Sequence, residues 1–396
     1  MRNLLAFFLI VIVLLLGWVL LPANQYIPRA LLYTYPGIDD YPLFYNRVVE
    51  AADPSSWPVS EQYHTAPLPR LLADSQEELG TVAFVVIQDS ALLFEHYNGK
   101  YGETSLSNSF SMAKSIVSLL IGIAIEEGKI KGVEQPVSDF LPEYGTFQGK
   151  TLTIRHLLTM SAGVDWNESY SGLIGPTTAA YYGGDLPWLM KRIKQIRKPG
   201  EKVLYQSGVT QLLGFIVERA TGETLSDYAS QKLWTPIQAE QSALWSLDHK
   251  DGAEKAYCCF NSNARDFARF GQLVLNRGKW NGIRVVPARY LEAATHPADD
   301  LISQYDSLPN RLYGYQFWIY EYKGMQIPFM RGMLGQYVFV IPEWNAVVVR
   351  LGERNREERD ENHYPTDIAI WLESAEEILK RSAFSVQATQ KSPASQ

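Results

Sequence analysis

With 396 residues, 46% of them hydrophobic and 20% charged, the chain can bury a large core and is neither disordered nor fibrous in composition. A net charge of −7 without a long basic block argues against nucleic acid as a partner. The only two cysteines, Cys258 and Cys259, are adjacent and no CxxC pair exists, which argues against a zinc ribbon or a thioredoxin site. A bridge between neighbouring cysteines strains the peptide joining them, so two buried thiols are expected.

In chain order, Leu4 to Leu21 is an unbroken apolar run behind Met1-Arg2-Asn3. Leu20-Leu21-Pro22-Ala23-Asn24 offers no small-x-small cleavage site, so residues 1–22 are expected to be an uncleaved transmembrane anchor. Arg2 and the free amine should stay cytoplasmic, which places the body on the extracytoplasmic, periplasmic side. Residues 23–79 are rich in proline and aromatics and read as an extended stem packing on that body.

The segment TVAFVVIQDSALLFEHYNG has two apolar runs around Gln88-Asp89-Ser90 and predicts a β-hairpin. Apolar spacing near 3.6 follows in TIRHLLTMSAG, TQLLGFIVERATG and NARDFARFGQLVLNRG, which predicts helices. The basic stretch Lys191 to Lys202 reads as a solvated helix face and its end. YGYQFWIYEY, GQYVFVIPEW and NAVVVRLG return to strand composition, and YPTDIAIWLESAEEILKR predicts a closing helix. Strands near both ends with helices between them predict an α+β fold. One antiparallel sheet is built from both termini and flanked by helices, with an all-helical lobe inserted at about 131–290. The main domain is expected over 80–381, with a disordered polar tail over 382–396.

The chemistry centres on SNSFSMAKSIVSLLIGIAIEEGK, residues 107–129. S-x-x-K occurs about once by chance in a chain of this length, so the pair Ser111 and Lys114 is weak evidence alone. Its context is stronger. The helix that follows is apolar on nearly every side and is expected to be buried. Desolvation lowers the pKa of a lysine there, and a neutral amine can take the serine proton. A serine at a helix N-terminus also presents its own N–H to an oxyanion. The plainer alternative is an N-capping serine beside a snorkelling lysine. KPGEKVLYQSGVTQLLG sets Tyr205 and Ser207 just before another apolar helix. There Tyr205 can relay protons and Ser207 can orient either partner; the alternative is a buried tyrosine with a satisfied hydroxyl and a serine cap.

SFSMAKS, TIRHLLTMSAGVDW, YQSGVTQLLG, NARDFARFGQLVLNRGKWNG and RGMLGQYVFVIPEWNAVVVRLG follow one another in an order that resembles the serine β-lactamase-like hydrolases. That group holds class C β-lactamases, D-alanyl-D-alanine carboxypeptidases and esterases. The resemblance runs from about 80 to 380 and is strongest to the 6-aminohexanoate-dimer hydrolase type. It implies a β-lactamase/transpeptidase-like fold, an acyl-enzyme at Ser111, Lys114 as base and Tyr205 as proton shuttle to the leaving group. Ser207 replaces the asparagine of the β-lactamase pattern. The usual Lys-Thr/Ser-Gly strand reads here as Met330-Arg331-Gly332-Met333. Met330 stands at the lysine position, Arg331 and Gly332 are read as the substrate-side strand, with Arg331 on the opposite face of a regular strand unless a bulge turns it inward, and the N–H of Met333 would complete the oxyanion hole with that of Ser111.

The resemblance thus implies a serine hydrolase of small esters or amides. The alternatives are a peptidoglycan D,D-peptidase or penicillin-binding protein, and a catalytically silent binding or sensor protein. No G-x-S-x-G, H-E-x-x-H, G-x-G-x-x-G or P-loop motif is present, and the six histidines are scattered. His156, within TIRHLLTMSAG, resembles a structural position. No cofactor and no metal are expected.

Overall fold

The structure is a computed structural model that describes residues 2–170 and 172–390. Its centre is a six-stranded antiparallel sheet of β1 (Thr81–Gln88), β2 (Ala91–Tyr97), β3 (Trp318–Tyr322), β4 (Met325–Gly332), β5 (Gln336–Ile341) and β6 (Ala346–Gly352). The spatial order is β3-β4-β5-β6-β1-β2, so both ends of the chain build one sheet. The β1–β2 hairpin turns at Asp89 and Ser90, both with positive φ (51° and 63°), the geometry a two-residue hairpin requires.

The central strands β1, β5 and β6 are buried almost throughout and rich in valine, as strands covered on both faces must be. The Ala264–Leu275 helix packs on one face. A Cβ at Gly271 would lie 2.5 Å from Val347, so this glycine sets how closely helix and sheet approach. On the other face the closing helix places Trp371 against Phe84. The buried Arg350 guanidinium stacks on Trp371, 4.6 Å from its centroid, and donates to the carbonyls of Leu79, Leu334, Gly335 and Arg354. It thereby pins the turn that follows β4.

Between β2 and β3 the chain forms the helical lobe, whose helices include Ile154–Leu158, Ser207–Thr221 and Ala264–Leu275. A second, four-stranded sheet joins Asn46–Val49 to Ala243–Ser246, Phe260–Ser262 and Ser107–Asn108. The proline-rich N-terminal region is thus tied into the body by strand pairing.

Three expectations need correction. The apolar N-terminal run is helical over Arg2–Val19, but its 18 residues span only about 27 Å at helical rise, under the ~30 Å of a hydrocarbon core. A 3-10 turn at Pro22–Asn24 follows. Among the described residues no helix is long and apolar enough to cross a membrane, so a transmembrane anchor over 1–22 is not supported. Cys258 and Cys259 are disulfide-bonded to each other, not free thiols; the chain takes a left-handed turn at Cys259 (φ 67°). The closing helix continues to Gln390, because no glycine or proline interrupts Ser382–Gln390. Residues 391–396 of the expected disordered tail lie outside the described residues.

Candidate active site

The Met112–Glu126 helix is buried from Met112 to Ala124, as its all-round apolar surface requires. Ser111 occupies its N-cap position, yet the hydroxyl caps no backbone N–H. It accepts instead from Lys114 Nζ at 2.9 Å. Phe110, immediately before it, has a positive φ of 42°, an unfavourable conformation for a bulky residue and one that marks a constrained turn. Lys114 is 1% exposed, which removes the snorkelling alternative. Its ammonium donates also to the carbonyl of Tyr257 at 2.9 Å. Burial lowers its pKa to about 8, partly opposed by the charge of Glu168.

Tyr205 closes the third side. Its hydroxyl lies near enough to Ser111 for that side chain to favour the phenolate slightly, and its ring centroid lies 5.1 Å from Lys114 Nζ. The ring packs on Trp318 (5.2 Å) and Tyr313 (6.0 Å). Its backbone N–H donates to Gln304 Oε1, and the side chain of the next residue, Gln206, donates through Nε2 to the carbonyls of Val164 and Trp166. Enclosure raises the Tyr205 pKa, and the Glu168 charge raises it further, so the phenol stays protonated and is able to donate.

Ser207 takes a different position from the one expected. Its hydroxyl and N–H both donate to the carboxylate of Glu168, at 2.5 and 2.6 Å, and neither hydrogen-bonds Lys114 or Tyr205. Glu168 also accepts from Trp166 Nε1 (2.7 Å) and the Tyr170 hydroxyl (2.5 Å). Sequence reasoning missed Glu168, Tyr170 and the Tyr257 carbonyl. The first two lie in an irregular loop without periodicity, and a carbonyl leaves no mark on residue identity.

On β4 Arg331, and not Met330, takes the cleft side. Met330 is fully buried and lines neither side of the cleft, whereas Arg331 lines it. The Arg331 guanidinium stacks on Trp318 (5.1 Å) and Tyr364 (5.8 Å). Strand alternation forces this once Met330 pairs with Val338 in the buried layer. A Cβ at Gly332 would fall 2.2 Å from the carbonyl of Ser109, so only glycine lets the strand approach the Ser111 turn. Met333 follows at the cleft wall beside Ser111.

Two arms of one cleft meet at Ser111, Tyr170 and Met333. The first, of about 460 Å³, is walled by Ala30, Leu31, Phe110, Leu173, Tyr182 and Cys258 among others. The second, of about 360 Å³, is lined by Glu168, Tyr205, Gln304, Arg331, Asn355 and Arg359 with neighbouring aromatics. Elsewhere, buried His156 bonds through Nδ1 to the Thr153 N–H at 3.0 Å and completes a helix cap. Among the described residues no group of three His, Cys, Asp or Glu side chains is placed to hold a metal ion.

The family model for beta-lactamase matches residues 68–370, three quarters of the chain. The chain belongs to the beta-lactamase family. Within that family it is a serine hydrolase. It is 26% identical over 292 residues to the 6-aminohexanoate-dimer hydrolase of Paenarthrobacter ureafaciens, covering 69% of this chain and 73% of that one. A structure from Bacillus anthracis, provisionally named 6-aminohexanoate-dimer hydrolase, superposes with a TM-score of 0.69 at 21% identity, over 88% of this chain and 92% of the other. A family VIII carboxylesterase superposes at 0.62 with 16% identity, over 82% and 99%. At those identities the two structures establish the fold, an α+β beta-lactamase/transpeptidase-like architecture.

Proposed function

We propose that this beta-lactamase-family protein hydrolyses an ester or amide through an acyl-enzyme on Ser111. The observation that carries the reading is the Lys114 ammonium, buried, 2.9 Å from the Ser111 hydroxyl and lowered to a pKa of about 8. In its neutral form Lys114 takes the serine proton while Ser111 Oγ bonds to the acyl carbon. The N–H groups of Ser111 and Met333 face the developing oxyanion. Tyr205 gives a proton to the departing alcohol or amine as the acyl–heteroatom bond breaks. Lys114, which holds the proton taken from Ser111, then reprotonates Tyr205. Water then repeats the sequence in the opposite sense and releases the acid. Glu168 holds Ser207 and so steadies the segment that carries Tyr205. The relative named 6-aminohexanoate-dimer hydrolase and the neighbour named a carboxylesterase support a hydrolase acting on an ester or amide.

The test is p-nitrophenyl butanoate hydrolysis together with intact-mass labelling by a fluorophosphonate. Wild type should turn over and gain one adduct, mapped to Ser111. Ser111→Ala should do neither while melting at nearly the same temperature. An adduct on another residue, or turnover by Ser111→Ala, would sink the assignment.

Arg331 favours a second reading, a D,D-peptidase. It presents a cation in the cleft, as a substrate carboxylate requires, and a D-alanyl-D-alanine peptide belongs in the same substrate screen. We also propose an extracytoplasmic location. The apolar Arg2–Val19 helix fits a targeting segment, and the Cys258–Cys259 disulfide fits an oxidising compartment. Fractionation that finds the protein among cytoplasmic enzymes would reject this.

A further inference from the structure

The two arms of the cleft differ in chemistry, and Tyr205 belongs to only one of them. It lines the arm with Glu168, Gln304 and Arg331, and it is absent from the wall of the larger arm. The larger arm is walled by Leu31, Phe110, Leu173 and Tyr182, with the Cys258–Cys259 disulfide at its side. Among the described residues no charged side chain lines it. Part of that wall comes from the short Ile27–Tyr33 helix. Ala30 of this helix is buried, whereas Leu31 is 60% exposed and forms the rim.

We infer that the acyl group of the substrate is an apolar chain of medium length seated in this arm, with a polar alcohol or amine leaving through the other. The inference rests on the serine-hydrolase reading above. The leaving heteroatom must meet Tyr205 to receive its proton, so it departs through the arm that Tyr205 lines. The acyl carbon stays bonded to Ser111, and its substituent has only the larger arm to enter. Burying methylenes against leucine and aromatic walls is favourable, whereas a charged acyl group would find no partner there. Hydrolysis balances as Ser111 Oγ–acyl bond formation, loss of the protonated alcohol or amine, and release of a carboxylic acid by water.

The experiment uses the full chain and p-nitrophenyl acetate, butanoate, hexanoate and octanoate below their aggregation concentrations. From acetate to octanoate kcat/KM should rise by roughly fourfold per buried methylene until the arm is filled. Leu173→Glu, at an exposed rim position, and Leu31→Glu should each lower the octanoate-to-acetate ratio at least tenfold. A flat or falling series with Ser111 still acylated overturns the inference and leaves the serine mechanism standing. No turnover of any ester and no adduct at Ser111 would instead overturn the mechanism. A rising series whose ratio neither variant moves places the chain elsewhere and overturns the inference as well.

Discussion

The carbonyl of Tyr257 holds the ammonium of Lys114 at the same 2.9 Å as the Ser111 hydroxyl does. A main-chain acceptor cannot take up a proton, so it orients the amine without competing for the proton that the serine gives up. The residue that supplies it stands 143 positions further along the chain.

The pH profile of kcat/KM follows from that lysine. Its folded pKa of about 8 leaves roughly a tenth of the amine neutral at pH 7. Activity on an uncharged ester should climb tenfold per pH unit below about 8 and level off above it. A profile flat from pH 6 to 9 would exclude Lys114 as the base.

Stability carries the same signature with a definite sign. Between about pH 8 and the ordinary lysine range near 10.5, the unfolded chain binds a proton at this site that the native state does not. The native state therefore gains stability as pH rises across that window. The gain is of order 3 kcal/mol in full. Lys114→Met should abolish activity, flatten this part of the urea-unfolding profile and melt no lower than wild type at pH 7. A steep loss of stability at pH 7 would mean that the two hydrogen bonds outweigh the buried charge.

Glu168 accepts four donors. Glu168→Leu strands them, at about 1–3 kcal/mol for each that stays buried, and should lower both the melting temperature and kcat. Glu168→Gln should retain much of both, because the Ser207 and Tyr170 hydroxyls can rotate to accept from the new amide. Equal damage from the two substitutions would show that the negative charge itself is needed.

Gly332→Ala tests the approach of β4 to the Ser111 turn. The added carbon would meet the Ser109 carbonyl at 2.2 Å. Backbone on both sides must then separate, moving the Met333 N–H away from the oxyanion. A fall in kcat of about a hundredfold is expected, with little change in KM. Unchanged kcat would remove β4 from the oxyanion hole.

Arg331 decides the balance between esters and β-lactams. If it pairs with a substrate carboxylate, Arg331→Met should lower the penicillin-to-butanoate ratio of kcat/KM by one to two decades, from about 1.5–3 kcal/mol of charge-assisted hydrogen bonding. An unchanged ratio assigns Arg331 to packing on Trp318 and Tyr364.

What could be read from the chain and what could not divide along physical lines. Ser111 and Lys114 were legible because both sit on one helix, where spacing fixes geometry and an apolar run reports burial. The sheet was legible from its valine-rich strands and the Asp89-Ser90 turn. The facing of Arg331 stayed open because a motif counted across a turn gives a position but not a strand's facing, and one residue reverses the side chain. Glu168 was invisible because Ser207 reaches it through tertiary packing, and Trp166 and Tyr170 through an irregular loop without period. The Cys258–Cys259 bond was dismissed on an average geometry that a left-handed residue at Cys259 locally evades.

The Ile27–Tyr33 helix has a practical consequence. A protein trimmed to the matched domain at residue 68 would keep the nucleophile, the lysine, the tyrosine and the whole central sheet. It would lose Ala30, Leu31, Thr34, Tyr35 and Pro36, one side of the larger arm. Such a fragment would open that arm into a trough, and its selectivity would be that of an enzyme the untrimmed chain never forms.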